Sequence, residues 1–170
     1  MRDDVKMNDK RALQPRPPRG VVRWPLHFPV HLFHARLGFL VGHRFLMLVH
    51  TGRTSGRLFE TPLEVVHFDP GSHEAIVMAG WGAQTQWLRN VEAGLAKEIW
   101  IGTSRYVPVV RRLGLDEAQE VFEHYEHHSG LPRPLVRSVL SRLLSWRYDG
   151  TDEGRRRVVD QLPLIGFRPS

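Results

Sequence analysis

The sequence contains no cysteine, which removes disulfides, thiolate zinc sites and thiol nucleophiles together. That absence suits a reducing cytoplasm. No apolar run reaches the length that a bilayer span requires. Met1 to Lys10 is polar and mixed in charge, unlike a secretory leader. The glycines never form Gly-x-Gly-x-x-Gly, and strands do not alternate with helices, which excludes a Rossmann-type dinucleotide domain. No His-Glu-x-x-His pattern occurs. Aromatics are few, 9% of the chain, and they are not interleaved with basic residues as on a nucleic-acid surface. There is no internal repeat.

What is present is basic. A formal charge of +6 over 170 residues favours anionic partners, whether a polyanionic cofactor, an acidic membrane face or nucleic acid. The length fits one domain with a core that folds without staples. Residues 1–20 end in Gln14-Pro15-Arg16-Pro17-Pro18-Arg19-Gly20. Proline at that density forbids helix and predicts an extended basic arm. Residues 21–170 are expected to form the single domain.

Trp24 to Phe39 reads as an amphipathic helix, kinked or restarted at Pro29. Strands are expected at Arg44–Val49, Leu58–Phe68 and Glu74–Ala79, with Asp69-Pro70-Gly71-Ser72 as a turn. On the second strand Thr61, Leu63 and Val65 share one face and Leu58, Val66 and Phe68 the other. Pro62 cannot donate to a ladder, which places it at an edge or bulge. A helix follows from Gln84 to Ala93. Lys97–Ile101 and Arg105–Val110 read as a hairpin, with Pro108 marking an edge. Asp116 is expected to cap a helix to His127, striped by Ala118, Val121, Phe122 and Tyr125. Leu135–Trp146 reads as another, with Val136, Val139, Leu140, Leu143 and Leu144 inward. Gly150–Arg157 is polar, and Leu162–Phe167 completes the sheet. Short hairpin connections make this an α+β arrangement, an antiparallel, curled sheet with helices to one side.

Two constellations carry chemistry. The first is His50-Thr51-Gly52-Arg53-Thr54-Ser55-Gly56-Arg57, between two strands. Its glycines let the backbone approach a ligand. Its hydroxyls, amides and guanidiniums suit phosphate or carboxylate. A plain hairpin turn with solvated arginines fits the same residues. The second is Ala79-Gly80-Trp81-Gly82 followed by Trp87-Leu88-Arg89-Asn90. Small residues at a strand end let a flat ring lie against backbone, and the first amides of a helix can meet its carbonyls. A strand–helix junction around a core tryptophan is the alternative, and Trp87 suits that core role. His27, His31 and His34 share a helical face, and His124, His127 and His128 cluster near a helix end. Neither group has an acidic or thiolate ligand pattern beside it, and no metal is expected.

Leu48 to Arg57 with Pro62-Leu63, then Gly80-Trp81-Gly82, then Trp87-Leu88-Arg89-Asn90, resembles the deazaflavin-dependent nitroreductases, also described as coenzyme F420-dependent quinone reductases. The likeness spans about half the chain, from roughly residue 44 to 130. It implies a split β-barrel of the flavin-mononucleotide-binding type. It also implies a reduced deazaflavin passing hydride to a planar quinone-like or nitro-aromatic acceptor. On that likeness Arg53, Thr54, Ser55, Gly56 and Arg57 would hold the phosphate and tail carboxylates. Ala79, Gly80, Trp81 and Gly82 would border the ring, and Pro62 would belong to the same cofactor site. Trp87, Arg89 and Asn90 would support its pocket.

Three positions depart from the family pattern. Thr54 and Phe59 stand where basic residues are common, and Trp81 replaces a lysine able to reach the tail. Tyr125 or a nearby histidine is the candidate proton donor. The rivals are the same barrel holding flavin mononucleotide (FMN), and a non-enzymatic basic module for lipid. A homodimer is compatible with the reading, and Trp24–Leu40 is expected either to cover the barrel over the ring or to touch the inner face of the plasma membrane.

Overall fold

The computed structural model describes residues 42–128, 130 and 132–170. The expected arm, residues 1–20, and the expected Trp24–Phe39 helix with His27, His31 and His34 lie outside the described residues. The first hairpin joins β1 (Phe45–Thr51) to β2 (Leu58–Asp69) in antiparallel register, Leu46 opposite Leu63 and Thr51 opposite Leu58. Both strands are rich in branched and aromatic residues, and the turn between them supplies the two glycines a tight reversal needs. Asp69 then closes the next turn by accepting from Gly71 N at 2.9 Å and Ser72 Oγ at 2.6 Å. That turn leads into β3 (Glu74–Met78).

The remaining elements are α1 (Gln86–Glu92), β4 (Ala96–Ile101), β5 (Ser104–Tyr106), β6 (Pro108–Arg112), α2 (Leu115–His128), α3 (Arg133–Leu144), α4 (Asp152–Gln161) and β7 (Leu164–Pro169). All pairings are antiparallel, in the order β5-β4-β1-β2-β3-β7-β6. The sheet curls until its ends approach. Tyr106 of β5 donates to the Phe167 carbonyl of β7 at 3.4 Å. A cavity of about 430 Å³ opens along this seam, walled by Ala96 of β4 and Pro108 and Val110 of β6. This nearly closed antiparallel sheet with flanking helices is a split β-barrel.

Alternation explains the interior. Leu46, Leu48, Leu63, Val77 and Ile99 point inward, and Trp87, Leu88 and Val91 of α1 pack on them. A second core lies outside the barrel. Ile76 and Leu164 meet Phe122 of α2, Leu140 and Leu144 of α3 and Val158 of α4 there. Truncating one such leucine to alanine costs about 2–5 kcal/mol.

Several expectations change. The strand predicted at Arg105–Val110 is two strands. Pro108, lacking an N–H, breaks it, so β5 stays on β4 while β6 crosses to pair with β7. A bulge between Val65 and His67 shifts the alternation of β2, and Phe68 packs with the barrel core rather than opposite Val65. Pro62 sits opposite Met47, ahead of the stretch of β2 that pairs with β3, so its β3 side is locally an edge. Asp116 lies in the first turn of α2, not at its cap. Val139 is exposed. The polar stretch after Gly150 is helical: Thr151 caps α4 by accepting from Gly154 N at 3.1 Å. Among the described residues no helix is long and apolar enough to cross a membrane.

Candidate functional site

The β1–β2 turn is an elbow with internal order. Gly52 N donates to Arg57 O and Gly56 N to Gly52 O, both at 2.8 Å. Gly56 has φ +65°, a conformation open to glycine. A side chain on Gly52 would lie 2.6 Å from the Phe59 ring and 2.7 Å from Ser55 Oγ, so both fold over a backbone that must stay bare. Arg53, Thr54, Ser55, Gly56 and Arg57 are all exposed.

The elbow is docked on α1. Asn90 Oδ1 accepts from Arg53 N at 3.1 Å and from Arg53 Nη1 at 3.3 Å. Gln86 Oε1 accepts from the same Nη1 at 3.0 Å. Hydrogen bonds to a charged group contribute about 1.5–3 kcal/mol, with the low end apt for an exposed guanidinium. Behind Asn90 the chain of contacts continues inward. Asn90 Nδ2 meets His50 Nδ1 at 3.1 Å, and His50 Nε2 meets Thr61 Oγ1 at 3.0 Å. His50 and Asn90 are 3% and 4% exposed. Burial holds the His50 imidazole below its ordinary pKa, with a smaller opposing effect from the Thr51 backbone. The Phe59 ring stacks over it at 5.7 Å.

The glycine shelf connects β3 to α1. Ala79 is buried, its N–H donating to Pro163 O at 3.0 Å, and Gly82 N returns to Ala79 O at 2.8 Å. Thr85 Oγ1 donates to Gly82 O at 2.5 Å, leading into α1. The two glycines differ. Among the described residues no atom lies within 4 Å of where a Gly80 side chain would start. Gly82, at φ +76°, lies under the Gln161 carbonyl, 3.3 Å from where its Cβ would be. Trp81 and Pro62 are half-buried.

Among the expected site residues, Arg53 and Asn90 touch. Trp87 belongs to the barrel core. Arg89 is exposed on α1, and no hydrogen bond ties it to the elbow among the described residues. His50 opens the first constellation of the sequence but, like Thr61 and Gln86, is given no ligand-holding role there. Only His50 left a signal: it follows Leu46 and Leu48 on the inward parity, where an imidazole needs partners.

A second cavity, about 350 Å³, lies between β2 and the end of α2, lined by Arg44, Glu64, His67, His124, Tyr125 and His128 among others. Tyr125 OH donates to Glu64 Oε1 at 3.2 Å. Burial first, and the Glu64 carboxylate second, push the phenol up to about 12. Desolvation, then neighbouring His128, His67 and His127, lower His124. Among the described residues no group of three or more His, Asp or Glu side chains is arranged to hold a metal ion.

Elbow, shelf and curled sheet define the class: a split β-barrel with a docked cationic turn beside a strand-to-helix glycine junction. No protein-family model matches the chain, and no curated protein matches it. Solved structures do. One, described as a domain-swapped dimer, is 13% identical at TM-score 0.50 and aligns over 86% of this chain and 98% of its own. An F420-H2 dependent reductase, FDR-A, is 16% identical at TM-score 0.42, over 75% of this chain and 96% of its own. A pyridoxamine 5′-phosphate oxidase-related, FMN-binding protein from Nostoc punctiforme is 15% identical at TM-score 0.43, over 91% and 81%. At such identities the likeness is one of fold alone, and the curled seven-stranded sheet is itself the split barrel that the sequence motifs implied.

Proposed function

We propose that this chain is an oxidoreductase that binds reduced coenzyme F420 and passes hydride to a planar, apolar acceptor of the quinone or nitro-aromatic kind. The observation that carries the reading is the double hold of Asn90 on Arg53. It fixes a cationic elbow against the helix that begins just after the glycine shelf. Arg53 and Arg57, with the hydroxyls of Thr54 and Ser55, would take the phosphate and tail carboxylates. Gly80, with no described atom within 4 Å of where its side chain would start, would admit the ring edge next to Ala79, Trp81 and Gly82, with Pro62 on the neighbouring strand. Arg89 would reach the tail from α1, and Trp87 would act only by setting the helix on the barrel.

When bound, the reduced deazaflavin supplies a hydride from C5, and the barrel's part is to bind, orient and exclude water. An acceptor gaining hydride also needs a proton. Tyr125 keeps its proton through neutral pH and would hold it at Oη, beside Glu64. Trp81, where a lysine is common, leaves tail binding to the arginines. A homodimer fits this reading, as does peripheral membrane contact.

The test is titration of the purified full chain with coenzyme F420 and with FMN, then oxidation of reduced coenzyme F420 against a panel of quinones and nitro compounds. Saturable F420 binding with turnover supports the reading. Tight FMN binding with no response to coenzyme F420 replaces it with the FMN-binding alternative. Binding of neither, with salt-sensitive capture on anionic vesicles, points to a lipid-binding module instead.

A further inference from the structure

We infer that His50 is a positioning residue for the elbow: its unprotonated Nδ1 locks the Asn90 amide in the one orientation that anchors Arg53. The affinity arm of the test below rests on the cofactor reading above; the structural arm does not.

The hydrogen-bond inventory forces the assignment. Arg53 N and Nη1 are donors only, so the Asn90 atom between them is the carbonyl oxygen. The amide nitrogen therefore faces His50 Nδ1. An Asn NH2 has no lone pair to offer, so Nδ1 accepts and the ring proton resides on Nε2, which donates to Thr61 Oγ1. Four side chains from β1, β2, the elbow and α1 thus share one proton arrangement. Rotating the Asn90 amide by half a turn would set NH2 against the Arg53 amide and break the dock. Nothing else hydrogen-bonds Asn90 Nδ2 among the described residues, so His50 decides which face of the amide looks at the elbow. The ring of Phe59 stacks on the imidazole at 5.7 Å. Arg53 is held from behind by Asn90, a buried neutral side chain, and by the exposed Gln86; among the described residues those bonds use its N–H and Nη1, which leaves Nε and Nη2 for an anion.

Two isosteres separate this role from simple packing. His50→Asn keeps an acceptor at the Nδ1 place and loses the Thr61 bond. His50→Gln keeps a donor near the Nε2 place and loses the acceptor. Amide hydrogen exchange at Arg53 is read by NMR on the ligand-free full chain, with thermal melting as the folding check. His50→Asn should keep Arg53 protection near wild type. His50→Gln should speed exchange about tenfold, as should Asn90→Leu. Coenzyme F420 affinity should follow the same order. Equal Arg53 exchange in the two His50 variants overturns the inference. Split exchange with an F420 affinity unchanged in all variants upholds the inference and sinks the cofactor reading. Should His50→Asn fail to fold, long-range 1H–15N correlation on the wild-type imidazole decides: a proton on Nε2 supports the assignment, and a proton on Nδ1 ends it.

Discussion

The guanidinium of Arg111 grips the Glu74 carboxylate through two hydrogen bonds, 2.7 Å from Nε and 2.8 Å from Nη2, directly over Gly166. Arg111 turns its other side to Glu117 of α2, at 2.8 and 2.7 Å. One side chain thereby joins β3, β6 and α2. The Glu74 side chain is 11% exposed and that of Arg111 37%. Replacing Arg111 with methionine strands a nearly buried carboxylate. The expected loss is about 2 kcal/mol in urea unfolding, below the ~3–5 of a fully buried pair because water reaches Arg111. The double variant Arg111→Met with Glu74→Gln should lose less than the sum of the singles.

Gly166 is bare because the pair crosses it. A methyl there would lie 2.5 Å from Glu74 Oε1 and 3.3 Å from Arg111 Cγ. Gly166→Ala should destabilise by about 1–3 kcal/mol through overpacking. Its effect should be markedly reduced in the Arg111→Met, Glu74→Gln background, measured by the same unfolding curves.

The exposed elbow predicts a functional loss larger than the stability loss. Arg53→Ala with Arg57→Ala should weaken coenzyme F420 binding by about 2 kcal/mol, the low end for ion pairs to a ligand that stays partly solvated. Melting temperature should fall by only about 3–6 °C, since the Arg53 guanidinium loses its bonds to Gln86 and Asn90 while the Arg53 N–H still donates to Asn90. Unchanged affinity by fluorescence titration would mean that the elbow does not grip the cofactor.

Acid should act in two windows. His50 has a folded-state pKa below its ordinary 6.5, so its neutral form is favoured in the fold. That contribution is complete above pH 6.5 and falls away as pH drops toward the lower folded value, where the unfolded chain binds the proton first. Hydrogen bonding to Arg111 lowers Glu117 below its ordinary 4.5. Its contribution is complete above pH 4.5 and is lost as pH falls through the folded value. Unfolding free energy against pH should show both declines, and Glu117→Gln should shrink the more acidic one, to which Asp69 and Asp149 also contribute.

Tyr125→Phe removes the proposed proton holder while keeping the ring. Acceptor turnover should fall about tenfold or more, with coenzyme F420 affinity unchanged. Steady-state rates on a quinone that needs a proton check this, and an unaltered rate would assign the proton elsewhere.

Much of the barrel could be read along the chain because local rules decide it. The Gly52–Gly56 turn, the Asp69 turn and the Trp87–Val91 stripe each declare themselves within ten residues. What escaped depends on distance or on competing signals. α4 reads as polar because Arg155, Arg156 and Arg157 dominate it, yet Val158 and Val159 anchor it and Thr151 caps it. The crossing at Pro108 shows as a weak strand, not as a change of neighbour, since pairing partners leave no mark in one strand's own residues. The Arg53–Asn90 contact spans 37 positions. Both residues were named as site candidates, but nothing in their spacing says that one holds the other.

The Gln161 carbonyl above Gly82, with Pro163 O accepting from Ala79 N at 3.0 Å, makes the last helix the ceiling of the glycine junction. The C-terminal end of α4 is therefore more than padding on the outside of the barrel. Shifting the end of that helix would redraw the headroom over Gly82 while leaving the residues of the elbow as they are. Paralogues of this chain could thus diverge in what they admit by editing a distant appendage alone.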